Sequence, residues 1–442
     1  MSITRALLAS YSAAASSGLD RRSSWQPTVP GGLTRYGSAM DGRPGQRAVG
    51  HAAQAAMSPP PGYWAPTPVD PPEEVLHPIA LRFSAALSRT RHLVFGRLEA
   101  PPGSIAIPVL RTYIVINSAT LVRLPGNEAV PTYDLSLNWD DGSWSVGWSA
   151  TLPGSELDAV MPDSIGSPVE LLATINGTAV RLLAETISRD RSFGDARVKV
   201  SGRGRVAWLS DPYAPIVQRT SSSLLTAQQV AEAALELNGV PVGWALDWQI
   251  ADWLIPAGAW SHEGSYIAAV QRIAEAAGGY ILGHRTAQTL HVRPRYPLLP
   301  WEWSSATPDV VIPADVATVE GISWVEKPSY NRVFVGGEQF GVLGDVTRSG
   351  TAGDVEAPLL TDALITAEEA ARARGGAILA DTGRQAMITL QMPVLSGVGI
   401  LDLGQLVEYN DGATSYRGLV RSVRVTAPMP RVWQTLEIEA HA

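Results

Sequence analysis

The sequence of 442 residues contains no cysteine. Disulfide bonds, zinc sites with thiolate ligands and iron–sulfur clusters are therefore excluded, because each of them needs cysteine sulfur. No apolar run approaches the roughly 18 residues that a membrane helix requires, so we predict no stable membrane insertion. The N-terminal stretch Met1–Leu8 has one arginine and a very short apolar run, which predicts no signal peptide.

The sequence also lacks the usual signatures of an enzyme active site. Its seven histidines show no His-x-x-x-His spacing, and no Gly-x-Ser-x-Gly nucleophile elbow is present. His284 and His291 could meet across a predicted hairpin, but two imidazoles without a nearby carboxylate make a poor zinc site. We therefore predict a non-enzymatic protein with no catalytic residue, no cofactor and no metal.

Gly202-Arg-Gly-Arg205 is similar to part of a phosphate-binding loop. The similarity fails because position 207 is alanine and no helix is predicted to follow at once. We interpret this stretch as a turn or a bulge.

Lysine is almost absent, since only Lys199 and Lys327 occur among the 34 basic residues. The arginine excess has two interpretations. Arginines can form bidentate ion pairs at interfaces, or they can reflect genomic base composition, which would also explain the many alanines. We favour base composition. The net charge of −8 argues against a nucleic-acid-binding surface over the whole chain.

The strongest local signal is a hairpin formed by Val169–Ile175 and Thr178–Ile187 around Asn176-Gly177. Asn-Gly between two apolar-rich runs favours a type I′ turn, in which both central residues need φ > 0. This turn fixes the register, because a slip by one residue would move every side chain to the other face. The predicted facing pairs are Ile175 with Thr178, Ala173 with Val180, Leu171 with Leu182, and Val169 with Ala184.

A third strand follows Phe193-Gly194, since Ala196, Val198 and Val200 alternate with Arg197 and Lys199. We predict a three-stranded meander that ends in an arginine-rich loop.

A second hairpin is predicted from Tyr133–Trp139 and Trp144–Ala150, turning at Asp141-Gly142. Its register would place Trp139 opposite Trp144, and Leu135 opposite Trp148. The three tryptophans would then share one face. Such a face could stack on carbohydrate, but we favour a core or a subunit contact.

Composition and periodicity divide the chain into four parts. Residues 1–75 are rich in Ala, Ser, Gly and Pro, and we predict an extended arm that embraces a neighbouring subunit. Residues 76–221 and 306–442 are β-rich, and the second of these regions contains one helix. Between them, residues 222–305 form a small module with two helices and a hairpin. Thr226-Ala-Gln-Gln229 and Thr366-Ala-Glu-Glu369 are predicted capping boxes.

The central stretch resembles a known family. Glu185-Thr-Ile-Ser-Arg-Asp-Arg-Ser-Phe-Gly194, Val200-Ser-Gly-Arg-Gly-Arg205 and Asp211-Pro-Tyr213 are similar to hub proteins at the tail tip or baseplate of long-tailed bacteriophages. The resemblance extends from about Leu135 to the C-terminus. It implies a mainly β fold with an α+β insert, in which two tube-like β-sandwich or barrel domains, each with a helix, are separated by the small module.

The resemblance also implies a function. Such hubs are homotrimers that present a pseudo-six-fold ring to the tail tube. They contact tape-measure, fibre or spike proteins and form part of the DNA exit channel in the virion. The candidate interface residues are Arg189, Arg191, Arg203, Arg205, Trp208 and Tyr213.

Two other functions stay open at this point. Related tail proteins can carry peptidoglycan-cleaving domains, and the 14 tryptophans could belong to a carbohydrate- or receptor-binding module.

Overall fold

The structure is a computed structural model that describes residues 103–110, 115–163, 167–395 and 397–441. The predicted arm, residues 1–75, lies outside this range, as does the start of the first predicted β region.

The described residues form 27 strands and four α-helices. The first strands are β1 Ile105–Ala106, β2 Ala119–Arg123, β3 Glu128–Ala129, β4 Asp134–Asp140, β5 Gly147–Pro153, β6 Val169–Ile175, β7 Thr178–Ala184, β8 Thr186–Ser192, β9 Asp195–Arg203 and β10 Val217–Thr220. Next come β11 Leu225–Thr226, β12 Glu236–Leu237, β13 Val240–Pro241, β14 Ala245–Trp248, β15 Leu254–Ile255, β16 Ser261–Gly264, β17 Gly279–Gly283, β18 Thr289–Pro294 and β19 Val310–Pro313. The last are β20 Val319–Glu326, β21 Arg332–Gly336, β22 Leu343–Thr347, β23 Glu356–Thr361, β24 Arg384–Pro393, β25 Leu406–Asn410, β26 Ser415–Thr426 and β27 Trp433–His441. The helices are α1 Leu157–Val160, α2 Ala227–Ala234, α3 Tyr266–Ala276 and α4 Glu368–Ala380.

The largest sheet of the described residues has 11 strands and joins the two predicted β regions. One path through it runs β1-β19-β25-β26-β4-β5-β9-β8, and a branch adds β27, β24 and β20 on the other side of β26. The long strand β26 makes this possible, because it pairs with β25, β4 and β27 along its 12 residues. The predicted mainly β fold is confirmed.

Two large hydrophobic cores account for most of the buried side chains. The first contains residues of the 11-stranded sheet together with residues of the sheet β3-β2-β6-β7. The second contains α2, α3 and α4 together with the sheet β22-β21-β23. Strands β21–β23 and helix α4 thus pack with the helical module, although they fall within the predicted domain 306–442. The predicted domain boundaries do not coincide with these cores.

Helix α4 approaches the sheet closely at a glycine. A Cβ atom added at Gly375 would lie 2.6 Å from Cγ2 of Val346 in β22. Close packing therefore explains the glycine at position 375. Of the helices described, none has the length and apolar character needed to span a bilayer.

The Asn176-Gly177 hairpin is confirmed in detail. Strands β6 and β7 pair in the predicted register, from Ile175 opposite Thr178 to Val169 opposite Ala184. Asn176 has φ 46° and Gly177 has φ 86°, as a type I′ turn requires. The facing residues Leu171 and Leu182 are fully buried in the first core.

The predicted meander is wrong. The chain leaves the β6–β7 sheet at Glu185, whose N–H donates to the Ser201 carbonyl at 3.0 Å. It then forms β8, which the sequence analysis missed, and β8 pairs with β9 in the larger sheet. Gly204, just after β9, forms one isolated bridge with Leu182 of β7, and β9 does not pair with β7 as a ladder.

The predicted register of the tryptophan hairpin is also wrong, by two residues. Trp148 lies opposite Leu137, and the connection spans residues 141–146 instead of a two-residue turn. Gly142 is not among the residues with positive φ, so the tight turn that fixed the prediction does not form. Trp139 and Trp148 share the buried face as expected, but Trp144 lies in the loop and packs on the second core.

One of the two predicted capping boxes is present. At the start of α2, the Thr226 hydroxyl accepts a hydrogen bond from the Gln229 backbone N–H. The Gln229 side-chain oxygen accepts one from the Thr226 backbone N–H. The Thr366 box is wrong, because α4 begins at Glu368 with Ala367 at the cap and no side-chain bond. Two acidic residues in its first turn favour that helix end electrostatically.

A buried ionic network connects four segments. Arg421 in β26 donates to Glu439 in β27 at 2.8 Å, and their side chains are 6% and 5% exposed. The same guanidinium lies 3.3 Å from Asp141 and donates to the Arg295 carbonyl at 2.6 Å. Tyr296 completes the network, since its hydroxyl donates to Glu439 at 2.7 Å and Arg421 lies over its ring.

The network keeps Glu439 ionised. Burial alone would raise the pKa of Glu439, but hydrogen bonds from His441 and Tyr296 and the charge of Arg421 lower it to about 2. The ordinary value is 4.5, so the stability that this carboxylate contributes is present above pH 4.5 and is lost as the pH falls towards 2.

We expect Arg421→Met to destabilise the fold by about 3–5 kcal/mol, because it leaves the Glu439 charge buried without its partner. The double variant Arg421→Met with Glu439→Met should lose less than the sum of the single variants. Chemical denaturation at pH 7 measures both. Additive losses would contradict direct coupling of the two side chains.

A second prediction concerns Gly202, which lies within β9 and not in the predicted turn or bulge. A Cβ atom there would lie 2.1 Å from the Leu183 carbonyl oxygen, the acceptor of the Trp148 indole N–H. Gly202→Ala should therefore force the two sheets apart and cost about 1–3 kcal/mol. Gly397 is the matched control, since a Cβ atom there meets nothing within 4 Å. Equal melting temperatures for the two alanine variants would refute the close-contact account.

Candidate assembly interface

Strand β8 is an open edge of the 11-stranded sheet. Within the described part of the chain it pairs with β9 alone, and nearly all of its residues are exposed. At the tip of the β8–β9 hairpin, Phe193 is fully exposed beside Gly194, which has φ 82°. An exposed edge presents unpaired backbone N–H and C=O groups, which natural proteins cover or pair. This edge is therefore suited to contact with another chain.

Two of the six candidate residues lie on this edge. Arg189 and Arg191 are exposed on β8, and neither has an ion-pair partner among the described residues. Between them, Asp190 pairs with Lys199 of β9 at 2.7 Å, with both side chains more than 60% exposed. Such an exposed pair contributes little to stability. Both arginines are thus available to a partner.

Arg203 has a different role, because its partners lie within the chain. Its guanidinium makes a bidentate contact with Glu185, with Nη2 at 2.6 Å and Nε at 3.0 Å from carboxylate oxygens. It also donates to Ser210 Oγ at 2.7 Å and lies 5.4 Å from the Trp144 ring centroid. The hydrogen bond with Glu185 raises the pKa of Arg203 above its ordinary value, so the guanidinium stays charged. This bidentate contact holds Glu185, at which the chain passes from the β6–β7 sheet to the 11-stranded sheet.

The last three candidates are also engaged within the chain. Arg205 lies 3.2 Å from Glu170 of β6. Trp208 packs on Tyr213 with ring centroids 5.0 Å apart. Burial raises the pKa of Tyr213, and the nearby Glu185 carboxylate raises it further. The structure thus separates the six residues into two groups. Arg189 and Arg191 lie at the edge, whereas the other four contact residues of their own chain and are called the supporting cluster here: Arg203, Arg205, Trp208 and Tyr213.

A second open edge of the sheet is β20, which ends the branch through β27 and pairs with β24 alone among the described strands. Val319, Trp324 and Val325 are exposed on it, with Trp324 at 54%. Sequence periodicity cannot identify a strand as an edge, because the edge position depends on which distant strands pair. The branched sheet therefore ends in three strands, which are the two-residue strand β1, the arginine-bearing strand β8 and the strand β20. Strand β20 is partly apolar and also carries Glu320 and Glu326.

The histidines were the remaining candidates for chemistry. His284 and His291 do meet, with ring centroids 5.6 Å apart. A carboxylate that the sequence analysis did not foresee is close by, since His291 Nδ1 lies 2.7 Å from Asp247. His284 Nδ1 accepts from the backbone N–H groups of Thr286 and Ala287, which occupies that nitrogen. The described residues contain no cluster of His, Asp or Glu with the geometry of a metal site.

The supporting cluster gives a testable contrast. We expect Arg203→Gln to lower the stability of the isolated chain by about 1–3 kcal/mol, because Glu185 loses the charge-assisted hydrogen bonds from the Arg203 guanidinium. Arg191→Gln should change it by less than about 0.5 kcal/mol, as is usual at exposed positions. Thermal unfolding of both variants measures the difference. A loss for Arg191→Gln as large as that for Arg203→Gln would contradict the assignment.

Comparison with protein-family models and with curated protein sequences gives no match. Solved structures do share the architecture. A tail protein from Neisseria meningitidis MC58 superposes with a TM-score of 0.52 at 13% identity, covering 74% of this chain and 97% of that protein. The 43 kDa tail protein of prophage MuSo2 from Shewanella oneidensis gives a TM-score of 0.50 at 13% identity, covering 73% of this chain and 98% of that protein.

These two proteins are named as tail proteins, one of them from a prophage. The resemblance predicted from Glu185–Tyr213 is therefore confirmed at the level of the fold. The chain has the mainly β fold of phage-type tail proteins.

Proposed function

We propose that the chain is a structural virion protein, the trimeric hub of a phage tail tip or baseplate. The observation that carries the proposal is the fold shared with two tail proteins over 74% and 73% of the chain. In this role the hub links the tail tube to distal fibre or spike proteins, contacts the tape-measure protein and surrounds part of the DNA exit channel. It acts through assembly and not through catalysis.

The two open edges support a ring. A ring needs a heterologous contact, in which one surface of each copy meets a different surface of the next copy. Strands β8 and β20 are two such surfaces, because they end branches of the same sheet that lie on opposite sides of β26. Contact between them in successive copies would leave neither strand exposed.

Charge favours the same contact. Strand β8 carries Arg189 and Arg191, whereas β20 carries Glu320 and Glu326. Complementary charges steer association and fix the orientation of partners more than they add affinity. Exposed Trp324 and Phe193 add apolar area of the kind that enriches interface centres.

The mass of the complex tests this proposal. We expect the purified protein to have three times the mass of the 47.0 kDa chain by native mass spectrometry. Replacing Arg189 and Arg191 together with glutamate should shift the population to monomer, because like charges would then face each other. The matched control is Arg424→Glu, at an exposed position of β26 within the sheet.

A wild-type protein that stays monomeric at micromolar concentration would contradict the trimer. Dissociation caused equally by Arg424→Glu would contradict the assignment of the contact to β8.

A further inference from the structure

A groove of about 590 Å³ lies beside the supporting cluster and has no role in the proposed hub contact. Its walls come from the turn after β2, from the start of β6, from Arg181 of β7 and from Trp208. The rim is open, since the Asp163 side chain is 88% exposed. The size is that of a site for a small ligand or a few units of a polymer.

One part of the wall is apolar and rigid. Trp208 lies in a short 3-10 helix, and its ring is braced by Tyr213 at 5.0 Å. Leu124, Pro125 and Pro168 also line the groove. A braced indole offers a flat surface with a negative face, to which the slightly positive C–H groups of a ligand are attracted.

The polar part of the wall carries donors and acceptors side by side. Arg123 donates to Asp163 at 2.8 and 2.9 Å and to the Asp158 carbonyl at 3.0 Å. Glu170 in the wall is held by Arg181, which also lines the groove, and by Arg205 outside it, each 3.2 Å from the same carboxylate oxygen. These contacts hold the planar side chains in place before any ligand arrives, which reduces the entropy cost of binding.

Asn127 adds an amide that can both donate and accept. The wall therefore presents guanidinium donors, carboxylate acceptors and an amide within one groove.

This mixture selects the chemistry of the ligand. A phosphate or a nucleic-acid backbone offers acceptors only and would meet the carboxylates of Asp163 and Glu170. A lysine-rich segment offers donors only and would meet the arginines. Each hydroxyl of a sugar both donates and accepts, and a pyranose ring also has an apolar C–H face for Trp208. We propose that this groove binds a saccharide.

The proposal does not depend on the trimer, because none of the groove residues belongs to β8 or β20. It also assigns a role to Trp208 that differs from the subunit contact predicted from the sequence. A groove that binds saccharide must stay open in the assembled protein.

The test uses the full chain and a printed array of bacterial surface oligosaccharides, followed by calorimetric titration of the strongest binder. We expect Trp208→Ala to weaken that binding at least about tenfold and Arg181→Gln to weaken it by a similar factor. Tyr133→Ala is the matched control, since Tyr133 is an exposed ring with Arg197 stacked on it and does not line the groove. Orthophosphate and a single-stranded DNA oligonucleotide serve as ligands that offer acceptors only.

Loss of saccharide binding in both groove variants, with melting temperature and native mass unchanged, supports the proposal. Should Trp208→Ala fail to fold, Arg181→Gln alone decides the outcome. The proposal is overturned if no oligosaccharide binds more tightly than phosphate or DNA. It is also overturned if the groove variants bind as the wild type does, or if they change the native mass, which would make the groove a protein contact.

Discussion

Arg421 and Glu439 can stay charged and buried only if several distant parts of the chain meet. Removing two charges from water costs several kcal/mol per ion, and a partner and further hydrogen bonds must offset that cost. Here the partners come from the loop after β4, from Arg295 and Tyr296 at the exit of the helical module, and from β26 and β27. The network therefore specifies how the β regions and the module come together.

The long strand β26 also contributes to the burial of Arg421. Its register against β27 shifts between Val420 and Ser422, which is where Arg421 lies. An irregularity of this kind can redirect a side chain out of the normal alternation. Arg421 is thereby buried among polar partners while Val420 and Val423 on either side enter the apolar core. One strand thus contributes both to the hydrophobic core and to the ionic network.

Local features were predictable and long-range ones were not. The Asn176-Gly177 turn and the Thr226 cap are determined by neighbouring residues, and both are as predicted. The tryptophan hairpin failed because Gly142 does not adopt positive φ, which its sequence alone does not reveal. The switch of sheets at Glu185 depends on Arg203, which holds that carboxylate from 18 positions further along the chain.

The candidate interface shows the same division. The family resemblance of residues 185–213 placed six residues in one candidate interface. Arg189 and Arg191 lie on an open edge, whereas Arg203 and Arg205 bind carboxylates of their own chain. No pattern in the sequence distinguishes an arginine that faces a partner from one that holds its own fold. The distinction needs the pairing of distant strands, which also makes β20 an edge.

The hub account predicts how copies meet in the assembled particle. The most direct test is a symmetry-resolved reconstruction of the tail end at a resolution that shows strands. The account predicts three copies around the tail axis, with β8 of each copy against β20 of the next. A tail end that lacks this chain, or a ring in which β8 and β20 both face solvent, would contradict it.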